Sequence, residues 1–376
     1  MKVTLNRSAF LEELATVQRA ISGKTTIPIL TGVKIKLTEN GLTLTGSNAD
    51  ISIETFLSVN DEKANMLIES TGSIVLQARF FNDIIRKLPE DTLTLELGDN
   101  QQVIISSGKA LFNVNGLNAD NYPHLPVINQ DQAFKLPARI LNKLVNETVF
   151  AVSLQENRPI LTGLHMILKD NQLLAVATDS HRLSQRVISV EGENQDFDVV
   201  IPGKSLQELS KTIKDEEELV SISMMDNQVL FKTENTLFYS RLLEGNYPDT
   251  NRLIPTSFNT EITFSVPELL SAIDRASLLS HEGRNNIVRL KIDSENVMIY
   301  GNSPEIGNVE EKLSYLSVTG DPIEISFNPD YMKDSLKSFG PIDIKINFIS
   351  PIRPFTLQPA DGDVDFIQLI TPVRTN

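Results

Sequence analysis

The stretch Met1–Ser22, MKVTLNRSAFLEELATVQRAIS, decides the fold because its pattern occurs three times in the chain. A short alternating run is followed by a polar break and then by apolar residues spaced about 3.6 residues apart, which predicts a strand followed by a helix. The pattern returns at Ala133 as AFKLPARILNKLVNETVFAVS and at Glu261 as EITFSVPELLSAIDRASLLS. A recurrence after about 130 residues predicts one structural unit used three times.

Each repeat carries a second strand-plus-helix signal, at residues 73–88, 199–213 and 323–339. The positions that we take as equivalent are Leu11, Leu141 and Leu270 in the first helices and Phe81, Leu206 and Met332 in the second helices. Short alternating runs bounded by turn residues lie between the helices and predict antiparallel strands, one of them at Lys312–Leu316. Two helices and several antiparallel strands per repeat predict an α+β fold with the helices collected on one side of the sheets.

The repeat junctions resemble one another, since Asn121-Tyr122-Pro123 closes the first repeat and Asn246-Tyr247-Pro248 closes the second. A residue that precedes proline is held extended, which suits a connector. We therefore predict three domains, 1–131, 132–260 and 261–376. Each domain lies within the usual size range for a unit with its own core.

The composition excludes several classes of protein. Of the 376 residues none is cysteine, which rules out disulfide scaffolds, thiol catalysis and cysteine metal sites. No apolar run approaches the roughly 20 residues of a membrane span, so we expect a soluble cytoplasmic protein. The net charge of −15 argues against a simple nucleic-acid binder, which would present a basic surface.

The basic residues are nevertheless concentrated in the six predicted helices, and two pairs, in the second helices of the first and second repeats, lie opposite the apolar face. The pairs on one face are Arg79 with Arg86, Arg139 with Lys143, Lys204 with Lys211, and Lys333 with Lys337. A stripe of cations on the outer face of a helix can follow phosphates without reading bases. The alternative is that these lysines and arginines only keep the protein soluble.

The cluster Thr178-Asp179-Ser180-His181-Arg182 has the composition of a catalytic site. A Ser/His/Asp hydrolase needs these groups on separate elements, whereas neighbours on a strand point to alternate faces. We keep a hydrolase that uses His181 and Asp179 as an alternative, together with a monomeric protein-binding scaffold that does not encircle DNA. The C-terminus offers a further candidate, because Val373 and Arg374 follow the last predicted strand as either a free tail or one wall of a peptide groove.

Four segments in combination resemble the bacterial DNA polymerase III beta subunit family of DNA sliding clamps. They are Thr26-Ile27-Pro28-Ile29-Leu30, Ala177-Thr178-Asp179-Ser180-His181-Arg182-Leu183, Asn246-Tyr247-Pro248-Asp249 and Pro372-Val373-Arg374. The resemblance implies three DNA-clamp domains per chain and a head-to-tail homodimer that closes as a ring around duplex DNA, with the helices inside. It implies a processivity factor without catalysis, cofactor or metal, which binds DNA independently of sequence.

The family further implies a groove between the second and third domains for short motifs of the replicative polymerase, the clamp loader and other proteins. Its apolar lining would be Leu161, Leu183, Leu253, Ile352 and Val373, shaped by Pro248, Pro354 and Pro372. Its polar edges would be Thr178, His181, Arg182, Arg252 and Arg374. DNA contacts would come from Lys24, Arg79, Gln155 and Lys204. At the ring seam, Phe112 would meet Leu278 and Leu279, flanked by Lys109 and the acidic residues of Glu305–Glu311.

The chain departs from the family pattern at a few of these sites. Pro159-Ile160 stands where well-known members have two tyrosines that contact DNA, and Ser180 stands where glycine is usual. Thr371 and Val373 replace methionines of some members. These differences bear on DNA contact near residue 160 and on the depth and peptide preference of the groove.

Overall fold

The computed structural model describes residues 1–126, 133–191, 195–225, 227–280, 286–293, 295–363 and 365–374. Six α-helices lie within these ranges: α1 (Arg7–Gln18), α2 (Ala78–Lys87), α3 (Ala138–Thr148), α4 (Gly203–Ser210), α5 (Val266–Ser280) and α6 (Pro329–Phe339). In this part of the chain no helix is long and apolar enough to cross a lipid bilayer.

The described strands follow in chain order. They are β1 (Lys2–Asn6), β2 (Gly32–Thr38), β3 (Gly41–Ser47), β4 (Ile51–Ser58), β5 (Leu67–Ser70), β6 (Gly72–Gln77), β7 (Thr92–Leu97), β8 (Gln102–Ser107), β9 (Ala110–Asn115), β10 (Phe134–Pro137), β11 (Gly163–Lys169), β12 (Gln172–Thr178), β13 (Arg182–Ser189), β14 (Phe197–Pro202), β15 (Leu219–Met225), β16 (Gln228–Lys232), β17 (Thr236–Arg241), β18 (Thr260–Ser265), β19 (Val288–Ile292), β20 (Val297–Ser303), β21 (Gly307–Lys312), β22 (Ser317–Gly320), β23 (Ile323–Phe327), β24 (Asp343–Phe348), β25 (Phe355–Pro359) and β26 (Phe366–Ile370).

The predicted doubling of the helices is confirmed, with two helices in each third of the chain. Phe81, Leu206 and Met332 are each the fourth residue of their helix and each is buried, so their predicted equivalence holds. Two of the helices begin at a residue whose side chain binds free N–H groups of the first turn. Asn6 accepts hydrogen bonds from the N–H groups of the first turn of α1, and Asn328 does so for α6.

The predicted equivalence of the first helices is wrong by one residue in two repeats. The buried residues at the fourth helical position are Phe10, Leu141 and Leu269, whereas Leu11 and Leu270 are only half-buried. The cause is that adjacent apolar residues both fit a helical period, and only packing shows which of them faces the core. In the described structure α1 also ends at Gln18, earlier than the apolar pattern suggests.

The first compact unit comprises residues 1–139 and 207–242. It contains a five-stranded antiparallel sheet in the order β5-β1-β7-β8-β9 and an eight-stranded sheet in the order β10-β15-β16-β17-β4-β3-β2-β6. In the eight-stranded sheet β17 pairs with β4, so that Phe238 lies opposite Ile53 and Tyr239 lies opposite Ser52. Helices α1 and α2 contact each other through the edge-to-face rings of Phe10 and Phe81, 5.8 Å apart.

The second compact unit comprises residues 140–206 and 243–376. Its nine-stranded sheet has the order β14-β11-β12-β13-β26-β25-β24-β18-β22, and its four-stranded sheet has the order β21-β20-β19-β23. In the larger sheet β13 pairs with β26, which places Leu183 opposite Leu369. A core of buried apolar residues lies among α5, α6 and the strands from β18 onwards.

The division between the two units falls within α3 and α4, and the second third of the chain therefore contributes strands to both. The predicted domain boundary at residues 131 and 132 lies outside the described residues, and the boundary at residue 260 coincides with the start of β18. The division into domains 1–131, 132–260 and 261–376 remains a prediction.

The strand predicted at Lys312–Leu316 is wrong in position. The strand β21 ends at Lys312, and the next four residues connect it to β22. Leu313 is buried and its N–H bonds the carbonyl of Val297, while the N–H of Leu316 bonds the carbonyl of Thr263. The sequence of β21, GNVEEK, is mostly polar and exposed, so the alternation that identifies a half-buried strand is absent from it.

Candidate functional site

The groove turn, residues 178–182 between β12 and β13, is a tight hydrogen-bonded loop. One carboxylate oxygen of Asp179 accepts the N–H groups of His181 and Arg182 at 2.9 and 3.0 Å. The hydroxyl of Thr178 donates to the carbonyl of Arg182 at 2.7 Å. Ser180 has a φ of 79°, in the left-handed region that glycine occupies without strain. The sequence TDSHR therefore builds an Asx-type turn, because Asp and Thr can hydrogen-bond to the backbone just ahead of them.

Arg182 is the residue that fixes this turn, and it lies inside the protein with 8% of its surface exposed. Its guanidinium donates to Asp179 at 3.1 Å, to Asp334 of α6 at 2.7 Å and to the carbonyl of Phe150 at 2.7 Å. It also lies 4.8 Å from the ring centroid of Tyr331. Arg182 was predicted to lie at a polar edge of the peptide groove. Its N–H groups instead form hydrogen bonds within the protein.

His181 and Asp179 do not form a catalytic pair in this arrangement. One oxygen of Asp179 is held by two backbone N–H groups and the other by the Nε of Arg182. The exposed ring of His181 is instead stacked near Tyr331, with centroids 6.2 Å apart and planes 16° apart. A dyad would need the carboxylate to orient the imidazole, so the geometry disfavours the hydrolase alternative.

The floor of the site is apolar and is formed by Val176, Leu183 and Leu369, with Tyr247 packed against them. The hydroxyl oxygen of Tyr247 accepts the N–H of Thr178 at 3.1 Å. Burial raises the pKa of the Tyr247 phenol, so it stays neutral under the groove turn. Of this cluster, sequence reasoning found only Leu183. The available signal for Tyr247 was the repeated Asn-Tyr-Pro junction, which we interpreted as a connector.

The C-terminal tail is tied to the groove turn as far as Val373. The N–H of Thr371 bonds the carbonyl of His181 at 2.8 Å, and the N–H of Val373 bonds the carbonyl of Ser326 at 2.7 Å. Pro372 is buried and Val373 is half-buried, whereas Arg374 is exposed. These contacts favour the wall of a groove over a free tail.

The other predicted groove residues differ in their exposure. Leu161 and Thr178 are buried and Pro354 is half-buried, while Pro248, Arg252, Leu253 and Ile352 are exposed. The guanidinium of Arg252 is paired with Asp249 at 2.9 Å. The structure thus gathers the groove turn, the apolar floor and the tail around one place, with exposed apolar residues available in the same unit.

The predicted DNA-contacting residues Lys24, Arg79, Gln155 and Lys204 are all exposed. Within the described ranges no carboxylate lies within 4.0 Å of the charged groups of Lys24, Arg79 or Lys204. In an acidic protein an exposed cation without a counter-ion is a ready phosphate contact. Their unpaired state distinguishes these three cations from most of the other basic residues of the predicted stripes.

Four of the other basic residues in the predicted stripes are paired with carboxylates, which reduces the positive charge of those helix faces. The pairs are Lys211 with Glu208 at 2.7 Å, Lys333 with Asp330 at 3.0 Å, Arg139 with Glu217 at 3.6 Å and Lys143 with Glu147 at 3.7 Å. Three of these carboxylates stand three or four residues from their cation, so the sequence itself offered them. Only Glu217 is brought to its cation from another element.

The loops after α1 and after α3 present Lys24 and Gln155 in the same way. The hydroxyl oxygen of Ser22 accepts the N–H of Lys24 at 3.2 Å, and that of Ser153 accepts the N–H of Gln155 at 3.1 Å. Both serines thus form the same side-chain turn two residues before the candidate contact. The two positions are structurally equivalent in the first and second repeats.

Arg79 and Lys204 are also equivalent, because each is the second residue of its helix, α2 or α4. The second residue of α6 is Asp330, which is bound by Lys333 at 3.0 Å and by the amide of Asn286 at 2.7 Å. The third repeat therefore offers an acidic residue where the first two offer a cation.

The predicted seam residues lie at sheet edges and at a helix end. Lys109 and Phe112 are exposed, in the β8–β9 turn and on β9, the edge strand of the five-stranded sheet. Leu278 is exposed and Leu279 is half-buried near the C-terminal end of α5. These residues belong to different compact units of the chain.

Three consecutive α+β repeats, each with two helices and antiparallel strands, define the class of DNA-clamp proteins. Family models of the DNA polymerase III beta subunit match in chain order: the N-terminal domain at residues 1–126, the central domain at 135–249 and the C-terminal domain at 251–374. The chain belongs to the DNA polymerase III beta subunit family, as the resemblance predicted.

Relatives with the same organisation cover the whole chain. The beta sliding clamp of Bacillus subtilis is 49% identical over 378 residues, with 100% of both chains covered. A crystal structure of the DNA polymerase III beta chain of Streptococcus pneumoniae superposes with a TM-score of 0.97 at 49% identity and full coverage of both chains. The structure of the Bacillus subtilis sliding clamp gives a TM-score of 0.96 at 48% identity, again over both whole chains.

Proposed function

We propose that the protein is a DNA sliding clamp, a cytoplasmic and non-catalytic processivity factor. It encircles duplex DNA as a head-to-tail homodimer and tethers the replicative polymerase, the clamp loader and other motif-bearing proteins. Each chain contributes clamp domains 1–131, 132–260 and 261–376. The observation that carries the proposal is that Lys24, Arg79 and Lys204 are exposed and have no ion-pair partner among the described residues, in a chain with net charge −15. Arg79 and Lys204 occupy equivalent positions in their repeats.

Weak and local attraction is enough for such a function. A ring that surrounds DNA stays bound because dissociation requires opening, so the contacts to phosphate need little affinity. At a screening length of about 8 Å in physiological salt, the acidic outer surface is barely felt at a distant phosphate. Contacts to phosphate alone carry no sequence information and therefore permit sliding.

Two sheet edges support closure of the ring. The strand β9 is the edge of one sheet and carries the exposed side chains Leu111 and Phe112, and β21 is the edge of another. An unpaired strand edge offers N–H and C=O groups to a second chain. Lys109 beside β9 and Glu310 on β21 have opposite charges, which favours pairing of β9 from one copy with β21 from its partner.

The partner groove is supported by the apolar floor and by the anchored tail. A short motif would place aliphatic or aromatic side chains on Leu183 and Leu369 and approach His181, Arg252 and Arg374 with its polar groups. Arg182 contributes by shaping the turn from inside, because its guanidinium is held by Asp179, Asp334 and Phe150. Peptide-binding sites commonly combine one apolar pocket with a few polar contacts.

The central test is topological. The protein is loaded by a clamp loader onto nicked circular DNA, and retention is compared before and after linearisation. We expect retention on the circle and loss from the linear form as the ring slides off the ends. Equal retention on both forms would mean that the protein binds DNA without encircling it.

The phosphate contacts are tested with Arg79→Glu and Lys204→Glu. Each reversal should weaken DNA binding and lower the slope of log affinity against log salt by about 0.9 for each phosphate that is no longer neutralised. The measurement is fluorescence anisotropy of a labelled duplex across a salt series. Lys211→Glu is the matched control, since Lys211 is exposed but already paired with Glu208. An equal effect of all three reversals would show that only net charge matters.

The seam is tested with Phe112→Glu, which places a charge on the edge strand where the partner copy should pack. We expect a monomer in sedimentation velocity at concentrations at which the unaltered protein is a dimer. Phe56→Glu on β4 is the control, because Phe56 and Phe112 are similarly exposed, at 36% and 38%. A dimer that persists in Phe112→Glu would remove β9 from the seam.

A further inference from the structure

The first unit contains a second copy of the backbone that builds the groove. The tetrapeptide Pro-Ile-Leu-Thr forms a 3₁₀ turn at Pro28–Thr31 and again at Pro159–Thr162. In each turn the threonine hydroxyl donates to the carbonyl of the proline, at 2.8 and 2.7 Å. The leucine of each turn is buried. The turn around Leu161, a predicted groove residue, therefore has a structural duplicate around Leu30.

The turn between β3 and β4 repeats the hydrogen bonds of the groove turn. The side-chain oxygen of Asn48 accepts the N–H groups of Asp50 and Ile51 at 2.8 and 2.9 Å, as Asp179 does in the second unit. The N–H of Arg241 bonds the carbonyl of Asp50 at 2.9 Å, as the N–H of Thr371 bonds that of His181. Strand pairing places Tyr239 opposite Ser52, where the groove has Leu369 opposite Leu183.

A cleft of about 280 Å³ lies at this position. We call it the first-unit cleft and define it by Ile27, Leu30, Pro123, Leu125, Tyr239 and Arg241, all of which line it. Ile27 is 50% exposed, so an apolar surface is available at the rim. An adjoining cleft of about 330 Å³ shares Pro123 to Pro126 and Tyr239 and adds Lys34 and Lys36.

The side chains of the cleft differ from those of the groove in polarity and charge. The hydroxyls of Ser47 and Ser52 are 2.6 Å apart, so the floor is polar where the groove has Leu183. For Lys34, Lys36 and Arg241 there is no carboxylate within 4.0 Å in the part of the chain that the structure describes. The first-unit cleft thus combines one apolar wall with Arg241, and Lys34 and Lys36 add two cations in the adjoining cleft.

We propose that the first-unit cleft binds a short acidic peptide segment that carries one aliphatic side chain. The aliphatic group packs on Ile27, Leu30 and Leu125, and the carboxylates approach the cations that border the cleft. Asp50 and Glu54 also line these clefts. A short peptide can place its few carboxylates beside the cations and away from these two residues, whereas a continuous row of phosphates could not avoid them. The site is separate from the groove and does not depend on encirclement of DNA.

The proposal is tested with methyl-labelled full-length protein and two acetylated peptides, Glu-Asp-Leu-Asp-Glu and its cationic counterpart Lys-Lys-Leu-Lys-Lys. We expect saturable shifts of the Ile27, Leu30 and Leu125 methyl signals with the acidic peptide only. Lys36→Glu and Arg241→Glu should each weaken binding about fivefold, the upper range for an exposed charge pair. Lys63→Glu, an exposed lysine of the same unit outside the cleft, is the control and should leave the affinity unchanged.

The methyl signals also separate this site from the groove. Shifts confined to Leu183 and Leu369 would mean that the peptide binds only the groove and would overturn the proposal. The proposal would also be overturned if both peptides gave equal shifts or if neither gave any. It would be overturned as well if a duplex oligonucleotide shifted the Ile27 signal and the acidic peptide did not. Because none of these readouts uses loaded DNA, a failure of the sliding function would leave them unaffected.

Discussion

The turn between β3 and β4 and the groove turn share their backbone hydrogen bonds but are held by different chemistry. The first has Asn48 and a buried Ile51, and the second has Asp179 and a buried Arg182. One turn is fixed by apolar packing, the other by a guanidinium with three hydrogen-bonding partners. The repeat therefore supplies the scaffold, and the side chains placed on it decide what each copy can bind.

The largest expected effect comes from making the groove turn resemble its counterpart. Arg182→Ile removes the guanidinium and leaves Asp179 largely buried without its charged partner. Breaking a buried ion pair in this way costs about 3 kcal/mol. The measurement is native-state hydrogen exchange of the β12 and β13 amides, which reports the local free energy of opening. Ile51→Val is the control in the other turn and should cost only about 1 kcal/mol.

The double variant Asp179→Asn with Arg182→Ile sharpens this prediction. It reproduces the Asn and Ile combination that the first unit already uses, and it removes the carboxylate that Arg182→Ile alone leaves unpaired. We expect it to recover about 1–2 kcal/mol relative to Arg182→Ile. If the double variant were no more stable than the single variant, the two turns would differ in more than these side chains.

The next prediction concerns peptide binding. The substitutions exchange Leu183 of the groove floor and Ser52, its counterpart in the first-unit cleft. Leu183→Ser replaces an apolar side chain of the groove floor by a polar one, and we expect a roughly 30-fold weaker Kd for a partner-motif peptide, which corresponds to about 2 kcal/mol. Fluorescence anisotropy of the labelled peptide measures it, and exchange of the β13 amides checks that the strand stays folded. Ser52→Leu is the reciprocal control and should leave the groove affinity unchanged. A weaker Kd with both variants would place the peptide elsewhere.

The repeat and the helices could be predicted from the sequence because they depend on local apolar periodicity. Phe81, Leu206 and Met332 occupy one helical position, as the spacing predicted. The exposed state of Arg79 and Lys204 followed from their position opposite the apolar face. Family membership followed from short motifs in combination.

The interior role of Arg182 could not be predicted, because arginine is rarely buried and its partner Asp334 is 152 residues away in sequence. The pairing of Arg139 with Glu217 was missed for the same reason, because the two residues are far apart in sequence. The partner of Lys211 is only three residues away, so that pair could have been predicted from helical spacing. Tyr247 was missed because an Asn-Tyr-Pro junction suggests a connector, and its hydrogen bond to Thr178 joins residues that are 69 apart. These contacts depend on tertiary placement, which local patterns do not contain.

The smallest expected effect tests the backbone of the two turns. Ser180 has a φ of 79°, whereas Ala49 at the equivalent position keeps a negative φ. Relief of a left-handed conformation is worth about 1–2 kcal/mol, and glycine costs about 0.5–1 kcal/mol in chain entropy, so Ser180→Gly should stabilise the protein by about 0.5–1 kcal/mol. Ala49→Gly carries only the entropic cost of glycine, so it should destabilise the protein by about 0.5–1 kcal/mol. Thermal unfolding should therefore shift in opposite directions for the two variants. Shifts of the same sign would mean that the two turns do not differ in strain, and that Ser180 is accommodated without cost.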